Sequence, residues 1–359
     1  MTYGSNNIVK SAILLFAAVL GVTAATPTPP LQPTTGPGGN DYPYGYAAFG
    51  PYEAAGQKTP AYSYQIYQPV GLAPSPANPN PLPAPATAPV ILFLHGPDGD
   101  NTFAYLFWMG HMAQMGYTVV YVVYDEGTKA PSFYTTALTT FSSAMAKLKQ
   151  PGFIPPTVDG SGNALTAYVG HSQGGYLAYI AAVEATKFSL PVPKAIVAIE
   201  PQLGTMTPAN YSKIDPTTLV LTVVGDSNDT TDPPCDGANV WAEMTQIPTL
   251  FRPILQAHSD SHGTPNQIAN HWFPLTFTIK DTDPPPITVD DRDFNITYKL
   301  STAAANCAIT GLNCDYALGN GPENYYGATT QTDMGLWSDG QPVAMLQLLT
   351  NPSTQLSCQ

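Results

Sequence analysis

The stretch Ala164-Leu165-Thr166-Ala167-Tyr168-Val169-Gly170-His171-Ser172-Gln173-Gly174-Gly175-Tyr176 decides how the rest of the chain is read. Ala164 to Val169 is an apolar run of strand length, and Tyr176 to Ala185 continues as an apolar run of helical length. Ser172 sits between them with a glycine two residues away on either side, the GxSxG spacing of a sharp strand-to-helix turn. A serine hydroxyl becomes a nucleophile only when a base can take its proton and the backbone projects it toward substrate. Such a turn supplies the projection. Gly170 and Gly174 leave room for the close backbone approach it demands, and Gly175 adds space for helix packing.

Working outward, apolar runs of the two kinds alternate. Strands are expected at Val90 to Leu94, Thr118 to Tyr124, Ala195 to Ile199, Leu219 to Val224 and Pro253 to Ala257, with helices at Phe103 to Met115 and Phe133 to Lys149. Unbroken apolar strands separated by helices predict an α/β domain: a mostly parallel sheet with helices on both faces. A short extended segment is expected around Tyr62 to Pro69. The prolines from Leu72 to Pro89 exclude both helix and central strand, so that stretch reads as a surface connection.

The organisation along the chain is read as a signal peptide at 1–25, a Pro/Gly-rich flexible leader at 26–52, an α/β domain at 53–274 and a C-terminal extension at 275–359. The signal reading rests on Lys10, the apolar stretch Ala12 to Val22, and the small residues Val22-Thr23-Ala24-Ala25. An apolar run that short does not span a bilayer, so stable membrane insertion is not expected. Export favours disulfides. Of the four cysteines, Cys307 and Cys314 flank a turn and are expected to pair, leaving Cys235 with Cys358 and tying the extension down. Asn210, Asn228 and Asn295 begin sequons that could carry glycans in an exported chain.

Composition narrows the partners. Charged residues make up 10% of the 359 residues, and 12 Lys plus Arg face 25 Asp plus Glu, for a net charge of -13. Phosphate contacts need cations that this chain scarcely has, which argues against nucleic acid and anionic membrane surfaces. The acidic run Asp290-Asp291-Arg292-Asp293 lacks the spaced carboxylates and glycine of a calcium loop and is read as a solvated face.

On the elbow residues Gly170-His171-Ser172-Gln173-Gly174-Gly175, the chain resembles the α/β-hydrolase family, in particular secreted serine esterases and lipases, from about Val90 to His271. The resemblance implies an α/β-hydrolase fold and ester chemistry with Ser172 as nucleophile. It also implies an acid after a later strand and a histidine after that. In Gly225-Asp226-Ser227-Asn228-Asp229-Thr230-Thr231-Asp232 the family pattern favours Asp229, with Asp226 the close rival and Asp232 behind it; Glu200, at the end of the preceding strand, is held in reserve. The family's Asp-x-His-Gly loop matches Asp260-Ser261-His262-Gly263, which points to His262 as base rather than His258 or His271. His171 is expected to pack.

An oxyanion hole needs two backbone N–H donors. Gln173, at the start of the helix, is the first. The loop His95-Gly96-Pro97-Asp98-Gly99 resembles the family's HG loop, but Pro97 has no N–H, so Asp98 or Gly99 is left as the second. Among Phe103, Tyr105, Phe107, Trp108, Met109 and Met112, one or two are expected to line an apolar pocket. His258, Asp260 and His262 stand at alternating positions in the manner of metal ligands, but the elbow already accounts for His262, and neither metal nor cofactor is expected. The reading is therefore an exported ester hydrolase working through an acyl-enzyme. Its rival is a non-catalytic binding or cell-surface protein on the same fold, motivated by Pro97 and the long tail.

Overall fold

The computed structural model describes residues 25–57, 60–75, 79–97, 99, 101–124, 132–226, 234–277 and 288–358. The expected signal peptide lies almost wholly outside them.

Nine strands form one sheet. They are β1 (Gly45–Glu53), β2 (Ser63–Val70), β3 (Val90–Leu94), β4 (Thr118–Val122), β5 (Thr166–His171), β6 (Ala195–Ile199), β7 (Leu219–Val224), β8 (Ile254–Gln256) and β9 (Gln347–Leu348). Their order is β1-β2-β4-β3-β5-β6-β7-β8-β9. β3 to β8 run parallel, while β1, β2 and β9 pair antiparallel at the two sides. With helices on both faces, this is the α/β-hydrolase architecture.

Strands buried on both faces need apolar side chains at every position, which is why their sequences are Val/Ile/Leu/Ala-rich runs rather than alternations. Ile91, Phe93, Val169, Val197 and Leu221 face a core completed by α1 (Leu106–Gln114) and by α5 (Lys299–Thr310). Val90, Leu92, Tyr168, Ile196 and Val220 face the opposite core, completed by α2 (Ser132–Lys147), α3 (Gln173–Glu184) and α4 (Cys235–Glu243). Each such side chain removed from water contributes about 1.5–3 kcal/mol.

Two readings are corrected by the structure. The stretch taken for a flexible leader contains β1, which pairs with β2 from Gly45 against Val70 to Glu53 against Ser63. Its glycines and Pro51 masked the pattern, yet the register shifts between Phe49 and Tyr52, so Pro51 sits in an irregularity of an edge strand where a missing N–H is tolerated. In the C-terminal extension, α5 covers one face of the sheet and β9 pairs with β8.

The acidic run is not a solvated face. Asp291, Arg292 and Asp293 are at most 1% exposed. They are buried because Arg292 brings its own partners: Nη1 donates to Gln267 Oε1 at 2.5 Å and Nη2 to the His258 carbonyl at 3.2 Å. Burial raises the Asp291 carboxyl pKa to about 7 and lowers the Lys299 ammonium pKa to about 8.

Both disulfides are formed, Cys307–Cys314 across seven residues and Cys235–Cys358 across 123. The latter joins α4 to the residues just after α6 (Pro352–Gln355). Asn295 is buried and donates to Asp291 Oδ1, so its sequon is closed to a glycan, whereas Asn210 is exposed. Asn228 lies outside the described residues. No described helix is long and apolar enough to cross a membrane.

Candidate active site

β5 ends at His171 and α3 begins at Gln173, so Ser172 occupies the turn alone. Its backbone is held at φ 58° and ψ -128°, a conformation that L residues rarely adopt. The Ser172 N–H donates to the Ile199 carbonyl at 3.0 Å, and the Gln202 N–H donates back to the Ser172 carbonyl at 3.0 Å. The turn is as crowded as the sequence implied: a Cβ on Gly170 would lie 2.3 Å from the Gly174 carbonyl oxygen, and one on Gly174 would lie 2.2 Å from that of Leu94.

The histidine that meets Ser172 is His271. Its Nε2 lies 2.8 Å from Ser172 Oγ, and both side chains are buried. Gln202 Oε1 stands 3.5 Å from the same hydroxyl, on the longer and weaker path. His262 is elsewhere: Nε2 pairs with Asp339 at 2.8 Å, and both side chains are 40% exposed. The Asp-x-His-Gly loop serves as a dock for the C-terminal extension. Asp260 Oδ2 accepts from Trp337 Nε1 at 3.0 Å and from the Ala344 N–H at 2.9 Å. The motif was matched correctly as a sequence, but it faces away from the elbow. The signal for His271 was its place beside Trp272 in an apolar stretch after the last parallel strand.

Of the acid candidates, Asp229 and Asp232 lie outside the described residues. Asp226 is engaged by the loop after β8. It accepts from Ser259 N–H at 2.9 Å, from Ser259 Oγ at 2.8 Å, and meets His258 Nδ1 at 3.2 Å. Glu200 follows β6 directly, is 3% exposed, and has a left-handed φ of 49°. Its Oε1 is so near Gly225 that a Cβ there would be 2.6 Å away, and the same Cβ would be 2.2 Å from the carbonyl oxygen of Ala269. The Glu200 carboxylate is thus packed against the backbone turn that touches the chain two residues before His271.

Gln173 opens α3, where the first N–H groups have no intrahelical acceptor and the helix dipole favours negative charge. On the facing loop, Gly96 donates its N–H to Tyr105 Oη at 2.9 Å and Gly99 donates to the Gly96 carbonyl at 3.1 Å. Gly99 is therefore engaged locally, and Asp98 lies outside the described residues. Of the six side chains among which one or two were expected to line a pocket, Trp108, Met109 and Met112 are fully in the core and Tyr105 is buried beneath the site. Phe103 and Phe107 are exposed, and Phe107 stacks on Phe277 at 5.3 Å. Among the described residues, no cluster of His, Cys, Asp and Glu suits a metal ion.

The arrangement provides a strained serine, a histidine in hydrogen-bond contact with it, and a helix N-terminus beside it. No curated protein matches this chain. A family model described as Chlorophyllase, an α/β-hydrolase-type esterase family, matches residues 69–233. That stretch carries β3 to β7, the Ser172 turn and Glu200, and stops short of His271. With the sheet order and the elbow, the match, over a little under half of the chain, supports an α/β-hydrolase of the esterase type.

Proposed function

We propose that this protein is an exported serine hydrolase that cleaves carboxylic esters through an acyl-enzyme, with Ser172 as nucleophile, His271 as general base and Glu200 as the carboxylate that supports His271. The 2.8 Å contact between Ser172 Oγ and His271 Nε2 at the elbow carries the reading. Glu200 is preferred over Asp226 because Asp226 is held by His258 and Ser259, while Glu200 is buried in a strained conformation against the His271 loop. Export is supported by the Met1 to Ala25 pattern and by two disulfides.

In this reading His271 takes the Ser172 proton on Nε2 as Oγ attacks the ester carbonyl. The oxyanion that forms is met by the Gln173 N–H, and the Asp98 N–H is the second donor proposed, since Gly96 and Gly99 are engaged and Pro97 has none. Collapse breaks the ester C–O bond, and the His271 Nε2 proton passes to the departing alcohol. Water then attacks the acyl-serine, giving its proton to His271, and the carboxylic acid leaves with Ser172 restored.

A fluorophosphonate probe tests this directly. Labelling of the folded protein, abolished in Ser172→Ala, together with hydrolysis of short p-nitrophenyl esters but not peptides, is the expected result. Folded protein that takes no label and cleaves no ester overturns it in favour of a binding protein.

A further inference from the structure

His171, the residue before the nucleophile, is bonded through both ring nitrogens. Nε2 lies 2.8 Å from the backbone carbonyl oxygen of His271. A carbonyl oxygen only accepts, so Nε2 carries the ring proton. Nδ1 lies 2.9 Å from Tyr105 Oη, and that oxygen accepts the Gly96 N–H at 2.9 Å. The phenol proton therefore points at Nδ1. Protons run one way along the chain from Gly96 through Tyr105 and His171 to the His271 carbonyl, and every member is buried.

The two ends of this chain are the parts of the site that must be fixed around Ser172. Gly96 lies so close that a Cβ on it would stand 3.0 Å from Ser172 Cβ. At the other end is the backbone of the residue whose ring meets Ser172 Oγ. We propose that Tyr105 and His171 are positioning residues that lock the Gly96 loop and the His271 backbone into one rigid frame about the nucleophile. This goes beyond the assignment of nucleophile and base and rests on it.

The frame requires a neutral His171. A second ring proton would take away the acceptor for Tyr105 and place a cation beside His271, whose ring centroid is 5.0 Å off. Burial first, and the neighbouring His271 second, push the His171 pKa well below the ordinary histidine value. Its charge state is thereby kept constant while His271 cycles.

Two measurements decide the proposal. The first compares p-nitrophenyl butyrate kinetics of wild type, His171→Leu, His171→Gln and Tyr105→Phe. Loss of the frame shifts the base by a fraction of its contact distance, so kcat is expected to fall roughly 100-fold in His171→Leu with KM within about threefold. His171→Gln places an amide N–H near the former Nε2 and is expected to recover at least about tenfold over Leu. Tyr105→Phe is expected to lose about tenfold. A His171→Leu protein with wild-type kcat, or a Gln variant no better than Leu, overturns the proposal. Wild type that takes no fluorophosphonate label defeats the triad itself, a distinguishable failure.

The second is a long-range proton–nitrogen correlation spectrum of wild type. His171 is expected as the Nε2–H tautomer with no titration around the ordinary histidine value. An Nδ1–H tautomer, or a midpoint near the ordinary histidine value, overturns it. Should His171→Leu fail to fold, Tyr105→Phe and this spectrum carry the decision alone.

Discussion

Ser172 Oγ and His271 Nε2 stand 2.8 Å apart although ninety-nine residues separate them in sequence. The serine is placed locally, by a strand and a helix that leave it one residue of turn. The histidine is placed by ties from elsewhere. Asp226 holds Ser259, Ser259 Oγ accepts the Ala269 N–H at 3.0 Å, Arg292 holds His258 and Gln267, and His171 holds His271 itself. A loop tied at so many points needs no regular structure to present one side chain accurately.

Exchanging the two candidate bases separates their roles. His271→Ala is expected to lower kcat by about 10³-fold or more, since removing any member of such a triad removes the proton transfer. His262→Ala is expected to keep kcat within about twofold and to lower Tm by at most a few degrees, because its pairing with Asp339 is solvent-exposed. Ester kinetics and a thermal melt on both variants check this, and the reverse ranking would restore His262 as the base.

The two described carboxylates divide in the same way. Glu200→Gln is expected to cost about 10³–10⁴ in kcat, the scale seen when a triad carboxylate becomes an amide without change of shape. Asp226→Asn keeps one acceptor for Ser259 and is expected to lower Tm by roughly 2–4 °C with kcat within about threefold. Full activity in Glu200→Gln would return the role to the segment that contains Asp229.

The sequence made the central sheet legible because buried parallel strands are written as short unbroken apolar runs, and it made Ser172 legible because the elbow needs glycines at fixed offsets. β1 was hidden: Gly45, Gly50 and Pro51 resemble a linker, and only its pairing with β2 makes it a strand. The histidine that meets Ser172 was misread because nothing in a motif records which way its loop faces. Asp260 and His262 turn toward Trp337 and Asp339, partners 77 residues away. Asp290 to Asp293 were misread for a related reason: the burial of charge depends on Gln267 and His258 standing opposite Arg292, and pairing of that kind leaves no local pattern.

Loop length predicts how the disulfides share the task of stabilising the fold. In the chain-entropy account, closing the 123-residue separation between Cys235 and Cys358 restricts the unfolded chain by about 5 kcal/mol, against about 2 kcal/mol for the separation of seven between Cys307 and Cys314. Urea unfolding of the two double Cys→Ala variants is expected to show the larger loss for the 235–358 pair. Equal losses would mean that local strain or residual structure, rather than loop closure, sets the effect.

Asp291 gives stability a pH dependence opposite in sign to that of a salt-bridged carboxylate. Its carboxyl is held at about 7 by burial, and in the unfolded chain it reverts to about 3.9. Between those values the folded protein keeps a proton that the unfolded chain has released, so this group's contribution falls as pH rises from about 4 to about 7. Asp290 and Asp293 are raised in the same direction by burial, and Arg292 and Lys299, the neighbouring cations, pull Asp291 the other way without prevailing. Asp291→Asn still offers an oxygen to Asn295 Nδ2, which donates to Asp291 Oδ1 at 2.6 Å. The variant is therefore expected to match wild type near pH 4 and to exceed it by about 2–4 kcal/mol near pH 7.5 in urea unfolding. A stability difference between the two proteins that stays flat across that range would show that the carboxyl titrates alike in the folded and unfolded states.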